Sequence, residues 1–236
     1  MSISIRGIQK TTLLDYPGYV AATIFLGGCN FRCPFCHNMN IVEAGDELSE
    51  DEVLSFLEKR SGVLEGVCIT GGEPTIYCDL PDFIKKIKSI NKHSGGKFLV
   101  KLDTNGTNPE MIKSLYEDGL IDYVAMDIKS SITQYEKTTG INNHELIDNV
   151  IKSVNYIKSS GIDYEFRTTV VKQLHTEDVM KDIGALIKDA KRYYLQSFTD
   201  SEYVPDHSLE PWDEEKIGEF ADIMKDFVNE VRLRGV

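Results

Sequence analysis

Apolar runs and amphipathic stretches alternate through the middle of this chain. VAATIFLGG (20–28) is a nearly unbroken apolar run, the pattern of a strand buried on both faces. SEDEVLSFLEKR (49–60) carries apolar residues at helical spacing, and Ser49 with Glu52 three residues on is a capping-box start. GVCITGG (66–72) predicts the next strand and DLPDFIKKIKSINKH (79–93) the next helix. KFLVKLDTNG (97–106) reads as strand running into turn. NPEMIKSLYEDG (108–119) predicts a helix with Asn as N-cap, Pro in the first turn and Gly at its end. IDYVAMDIK (121–129) is a strand, and NHELIDNVIKSVNYIKSSG (143–161) a helix closed by Gly161. DYEFRTTVV (163–171), HTEDVMKDIGALIKDA (175–190) and RYYLQSF (192–198) follow as strand, helix and strand. DEEKIGEFADIMKDFVNEVRL (213–233) closes the pattern as a terminal helix.

About six β-α units in a row imply an α/β fold of parallel strands with helices outside. The absence of a Pro- or Ser-rich linker suggests a single domain over 1–236. Residues 1–19 would be a lead-in, 20–198 a partial (β/α)6 barrel, and 199–236 a C-terminal loop and helix. A doubly wound sheet of mixed order is the other fold this pattern allows. In barrels of this kind the chemistry gathers at the C-terminal strand ends. Here those ends read GGCNFRCPFC, TGGEPT, DTNG, MDIK, RTTVV and LQSF, all polar or rich in glycine and cysteine.

A hydrophobic content of 41% over 236 residues fits a globular protein, with no apolar run long enough to span a membrane. The N-terminus lacks the apolar stretch and cleavage site of a signal peptide, so a cytoplasmic location is expected. A net charge of −12 argues against a general nucleic-acid or membrane binder. The local exception is the lysine-rich stretch holding Lys85, Lys86, Lys88, Lys92 and Lys97, which reads first as a solvated helix face. Five cysteines, an odd number, point to metal or redox use rather than a disulfide framework. Cys68 sits in an apolar strand pattern and reads as a core thiol, and Cys78 reads as a loop residue.

The remaining three cysteines, Cys29, Cys33 and Cys36, are spaced C-x3-C-x2-C within GGCNFRCPFCHN. A closed zinc site needs four ligands, usually in two pairs, and no second pair exists here. Three thiolates in one loop suit a [4Fe–4S] cluster whose fourth iron keeps an open position. Zinc with a ligand from elsewhere, or three unrelated thiols, stay open on spacing alone. TGGEP at the end of the second strand adds two glycines that let backbone approach a ligand, and the carboxylate of Glu73.

CNFRCPFC followed about forty residues later by TGGEP resembles the radical S-adenosylmethionine superfamily. IQKTTLLDYPGYVAATIFLGGCNFRCPFCHN, with DTNG and MDIK further on, is similar to glycyl-radical-enzyme activases. The nearest likeness is to anaerobic ribonucleoside-triphosphate reductase activating proteins and pyruvate formate-lyase activating enzymes. The resemblance implies one [4Fe–4S] cluster on Cys29, Cys33 and Cys36, with S-adenosylmethionine chelated to the open iron. Reductive cleavage would give a 5′-deoxyadenosyl radical that abstracts a hydrogen from a glycine of a partner glycyl radical enzyme. The same resemblance places Phe35 and His37 near the adenine. Gly71, Gly72 and Glu73 would meet the methionine amino end. Asp127 and Lys129 would reach the ribose and carboxylate. It implies a monovalent cation held by Asp103, Thr104, Ala125 and Asp127. Arg167 and Gln196 would face the cofactor or the substrate glycine.

Several features temper the likeness. Residues 37–68 contain one cysteine only at their end, so the cysteine-rich insert of some activases is missing. One cluster is therefore expected, with electrons from a separate flavodoxin or ferredoxin docking at a local basic patch. Asp103 and Asn105 could simply build a turn. His175 reads as a helix start and His207 as a loop residue; neither has a role. Trp212 and Tyr203 would pack the last loop. Two other functions remain: a radical enzyme acting on a small molecule, like 7-carboxy-7-deazaguanine synthase, or a metal-binding interaction module.

Overall fold

The structure is a computed structural model that describes residues 3–43, 47–91 and 95–235. Strands β1 (Ile5–Thr12), β2 (Ala21–Leu26), β3 (Gly66–Gly71), β4 (Leu99–Thr104), β5 (Tyr123–Asp127), β6 (Asp163–Val170), β7 (Tyr193–Ser197) and β8 (Val231–Arg234) follow one another in chain order in one sheet. β1 pairs antiparallel with β2. The pairs β2–β3, β3–β4, β6–β7 and β7–β8 are parallel. Between strands run the helices α1 (Met39–Glu43), α2 (Glu50–Lys59), α3 (Leu80–Ser89), α4 (Pro109–Glu117), α5 (Tyr135–Thr139), α6 (His144–Ser160), α7 (Glu177–Leu186) and α8 (Glu214–Lys225). A parallel-dominated α/β sheet with outer helices is the class the repeated pattern predicts.

The chain divides into two compact units. The first comprises Met1–Asn30, Asn38–Thr104 and Glu110–Val124; the second comprises Phe31–His37, Asn105–Pro109 and Ala125–Val236. In the first, alternation along each strand separates two kinds of face. Ala22, Ile24 and Leu26 of β2, Val67 and Ile69 of β3, and Val100 and Leu102 of β4 are all buried and apolar. Between them fall Thr23, Cys68 and Lys101, and register sets Thr23 beside Cys68 and Cys68 beside Lys101. The helices of this unit bury Val53 and Leu57 of α2, and Phe83, Ile84 and Ile87 of α3. Each such side chain contributes about 1.5–3 kcal/mol of burial.

Local signals fix most element ends. Ser49 accepts from the Glu52 amide at 3.2 Å while the Glu52 carboxylate accepts from the Ser49 amide at 2.8 Å, the expected capping box. Asn143 caps α6, and Gly161, at φ 88°, ends it.

The two chain ends differ from expectation. The lead-in contains β1, whose alternation in SISIRGIQKTT is short and interrupted by glycine. The expected terminal helix over 213–233 stops at Lys225, and the chain returns as β8 beside β7. Val228, Asn229 and Val231 are poor helix formers. The Tyr193 amide donates to Glu230 O and the Asn229 amide to Ala190 O, so the extended course satisfies groups that a helix would leave unpaired. α7 starts at Glu177 with Thr176, not His175, as its cap. α3 ends at Ser89, and residues 92 and 93 of the expected helix, Lys92 among them, lie outside the described residues.

Candidate active site

In the first unit the cysteine loop begins where β2 ends. Gly28 turns the backbone at φ 65° just before Cys29. Its amide donates to Val42 O at 3.1 Å, and its carbonyl accepts from the Glu73 amide at 2.9 Å. The partner segment is the Gly71–Gly72–Glu73 turn at the end of β3. Gly71 has φ 119°, and a Cβ there would lie 2.2 Å from Leu26 O. A Cβ on Gly72 would lie 1.7 Å from Gly28 O and 3.3 Å from Cys29 Cβ. The paired glycines are what let this turn press onto the backbone that carries Cys29. Asn38, the residue after the CH of the cysteine motif, donates to Gly71 O at 2.9 Å and ties the loop exit to the same turn.

Glu73 is fully buried. Its Oε1 accepts from the Thr75 amide at 3.0 Å, Thr75 Oγ1 at 2.5 Å and Thr104 Oγ1 at 2.7 Å. Its side chain therefore braces the turn and joins it to the end of β4. Asp103, next to Thr104, pairs with the ammonium of Lys101, which is 1% exposed. Lys101 Nζ also lies 3.8 Å from Cys68 Sγ, and Thr70 Oγ1 donates to Asp103 at 3.4 Å. Cys68 is thus buried as expected, but in a polar cluster. Lys101 received no role in the sequence reading; its i, i+2 spacing from Asp103 in KLD was the available signal.

The second unit holds Phe31–His37 with its two thiols. The Arg32 amide donates to Thr139 O at 2.8 Å, and the Asp206 amide donates to Pro34 O at 3.1 Å. Phe31 packs edge-on against Tyr135 at 6.3 Å, and His37 lies 5.5 Å from Phe198. Gly140, at φ 68°, passes so close to Arg32 that a Cβ would stand 2.4 Å from its carbonyl oxygen. The Cys36 amide donates to Cys33 O at 3.2 Å, closing the C-x2-C turn.

Lys129 stands beside this turn. Its Nζ donates to Asp127 Oδ2 at 2.9 Å and lies 5.9 Å from the Phe35 ring centre. Burial would push the ammonium towards neutrality, but Asp127 and the nearby thiols of Cys33 and Cys36 outweigh it, so its pKa is raised. Arg167 Nε donates to the other Asp127 oxygen at 2.8 Å. His37 is pushed the opposite way, first by burial and then by Lys129. This unit therefore brings Cys33, Phe35, Cys36, Asp127, Lys129 and Arg167 together. Gln196 lies on β7 opposite Thr169, and Ala125 is buried in β5.

Glycine pairs at a strand end, a three-cysteine loop and a half-buried ammonium beside two of the thiols are joined by a further finding. The family model of the Radical SAM superfamily matches residues 23–186. The chain belongs to the radical SAM superfamily. This radical SAM protein is 31% identical over 241 residues to a protein of Methanocaldococcus jannaschii named as a candidate glycyl-radical enzyme activating enzyme. That match covers 100% of this chain and 98% of the relative. It is 26% identical to the pyruvate formate-lyase-activating enzyme of Clostridium pasteurianum, over 87% of this chain and 82% of that one. A GTP 3′,8-cyclase of Helicobacter pylori matches at 28% over 71% of this chain, but over only 50% of its own length. Among solved structures, Streptococcus suis SuiB superposes with a TM-score of 0.68 at 15% identity, over 90% of this chain and 49% of that one. That likeness bears on the fold alone.

A [4Fe–4S] cluster and S-adenosylmethionine are the cofactors of this superfamily, and the residues suit them. Three thiols within eight positions are the right donor chemistry for iron. The Lys129 ammonium offsets negative charge where two thiolates would carry it. The Gly72 turn is pressed onto the backbone that leads into Cys29, where any side chain would clash. No described helix is long and apolar enough to cross a membrane.

Proposed function

We propose that this radical SAM protein activates a glycyl radical enzyme, abstracting hydrogen from one glycine of that partner. The observation that carries this reading is the match along the whole chain to the Methanocaldococcus jannaschii protein. The LLDYPG lead-in and CHN motif fit activases of this kind, with anaerobic ribonucleoside-triphosphate reductase the favoured partner and pyruvate formate-lyase the other. When bound, the cluster and S-adenosylmethionine together supply a 5′-deoxyadenosyl radical.

The chain's own part in this proposal is binding, orientation and charge. Cys29, Cys33 and Cys36 hold the cluster. Lys129, fixed by Asp127, offers a half-buried cation to the cofactor carboxylate, a charge-assisted contact. Gly71 and Gly72 present backbone to the methionine end while Glu73 braces them. Phe35 and His37 flank the last thiol and face the adenine. Arg167 holds the second Asp127 oxygen and so fixes which way Lys129 is steered. A monovalent cation at Asp103, Thr104, Ala125 and Asp127 would have to share Asp103 with Lys101. A flavodoxin or ferredoxin would deliver the electron.

The test is anaerobic. Reconstituted protein, S-adenosylmethionine, reductant and the host's anaerobic reductase are mixed and read by electron spin resonance. A glycyl doublet that requires all components is the expected result. Cofactor cleavage without a doublet, for every glycyl radical enzyme of the host, would refute activation. A second reading, action on a small molecule, draws on 35% identity over 94 residues to the 7-carboxy-7-deazaguanine synthase of Bacteroides thetaiotaomicron. Turnover of a purine-like substrate without any partner protein would favour it.

A further inference from the structure

His175 is completely buried, on the turn between β6 and α7. Both ring nitrogens are engaged. Nδ1 lies 3.0 Å from the Val171 amide, which can only donate, so Nδ1 is an acceptor. The ring proton is therefore on Nε2, which lies 3.0 Å from Lys129 O and donates to it. Burial lowers the pKa of His175, keeping the ring in this neutral form. A local role would be served by Nδ1 alone, because the Val171 bond closes the 171–175 turn. Nε2 reaches instead to a residue 46 positions earlier, at the end of a different strand.

The atom it reaches is well chosen. The Lys129 amide donates to Tyr135 OH at 3.2 Å, so the peptide groups on both sides of Lys129 are held by side chains from other segments. The histidine is itself fixed, since Trp212 Nε1 donates to His175 O at 2.9 Å and the indole packs edge-on against Phe220 at 5.8 Å. A chain of contacts thus runs from α8 through Trp212 and His175 to the residue whose ammonium stands by Cys33 and Cys36.

We propose that His175 is a positioning residue for Lys129, setting the backbone from which that ammonium is aimed at the cofactor carboxylate. The inference rests on the reading of Lys129 given above. It makes His175 part of the cofactor site without touching the cofactor. Side chains that hold a binding group from behind typically change affinity about tenfold or more when removed.

Two substitutions separate the two nitrogens. Asparagine places a carbonyl oxygen near the position of Nδ1 but does not reach Lys129 O. Glutamine reaches the Nε2 position with an amide N–H. In the reconstituted holoenzyme, His175→Asn is expected to raise KM for S-adenosylmethionine about tenfold, with kcat for reductive cleavage changed about twofold at most. His175→Gln is expected to keep KM close to the parent value. A second readout uses no activity: hydrogen exchange of the peptide spanning Asp127–Tyr135 in the cluster-free protein should quicken in the Asn variant only. Equal KM for both variants and the parent, or an equal rise in both with unchanged exchange, overturns the proposal. If the Asn variant does not fold, glutamine against parent decides: retained KM supports it, a tenfold rise overturns it. Lys129→Met is the companion measurement. Should it leave KM unchanged, the assignment of Lys129 falls, and the exchange rates alone decide whether His175 holds its backbone.

Discussion

Gly72 shows how much one missing side chain settles. Its neighbour across the turn is backbone, the Gly28 carbonyl, which cannot rotate away as a flexible side chain could. Gly72→Ala must therefore move one of two strand ends, and with them Cys29. The expected cost is about 3 kcal/mol in urea unfolding of the cluster-free protein, the upper range for overpacking. Iron and sulfide content after reconstitution should fall to a small fraction of the parent's. Gly95→Ala is the control for a glycine in open space: a Cβ there meets nothing within 4 Å and only its φ of 84° opposes a side chain, so about 1 kcal/mol and full loading are expected. The residue types of this site were visible in the chain as written, because cysteine spacing and paired glycines are chemical signals. What they touch was not. GGEP reads in sequence as a turn that meets a ligand, and only the fold reveals that Gly72 also packs on the residue before Cys29. His175 is silent for the same reason, since a lone histidine before a helix carries no signal until its neighbours are known; Lys101 had only Asp103 two positions on.

Elements tell a similar story at their boundaries. α2 and α6 were legible because caps are local, written within four residues of the helix end. β8 was not, because VRLR becomes a strand only through pairing with β7. A charge pair adds to that ladder. Arg234 donates to both oxygens of the fully buried Glu165, at 3.0 and 3.2 Å, and stacks on Tyr194 at 3.7 Å. Removing one partner of a buried pair costs more than removing both. Arg234→Met should thus lower stability by about 3 kcal/mol, whereas adding Glu165→Met to it should restore most of the loss. Urea titration of the parent, both single variants and the double variant gives the coupling directly. A double variant no better than Arg234→Met would show that β8 is held by other contacts.

For the whole molecule the relevant quantity is charge. The net value of −12 is not relieved by the lysines of α3. Lys85 pairs with Asp82, Lys86 with Glu50 and Lys88 with Asp122, so this helix is a balanced surface as far as it is described. An acidic electron donor should therefore meet net repulsion at long range. Reduction of the cluster by reduced flavodoxin should accelerate several-fold as ionic strength rises from about 0.02 to 0.2 M, because screening shortens that repulsion. Stopped-flow rates that fall with salt instead would mean a local basic surface governs the encounter. A last consequence comes from where the loop Phe31–His37 finds its support. Its bed is made by Tyr135, Thr139, Phe198 and Asp206, residues supplied a hundred positions or more further along. A nascent or clipped polypeptide ending near Val124 would carry all three loop cysteines yet lack the floor beneath two of them. If these thiols hold the cluster, such a fragment should take up little iron until the later residues are in place.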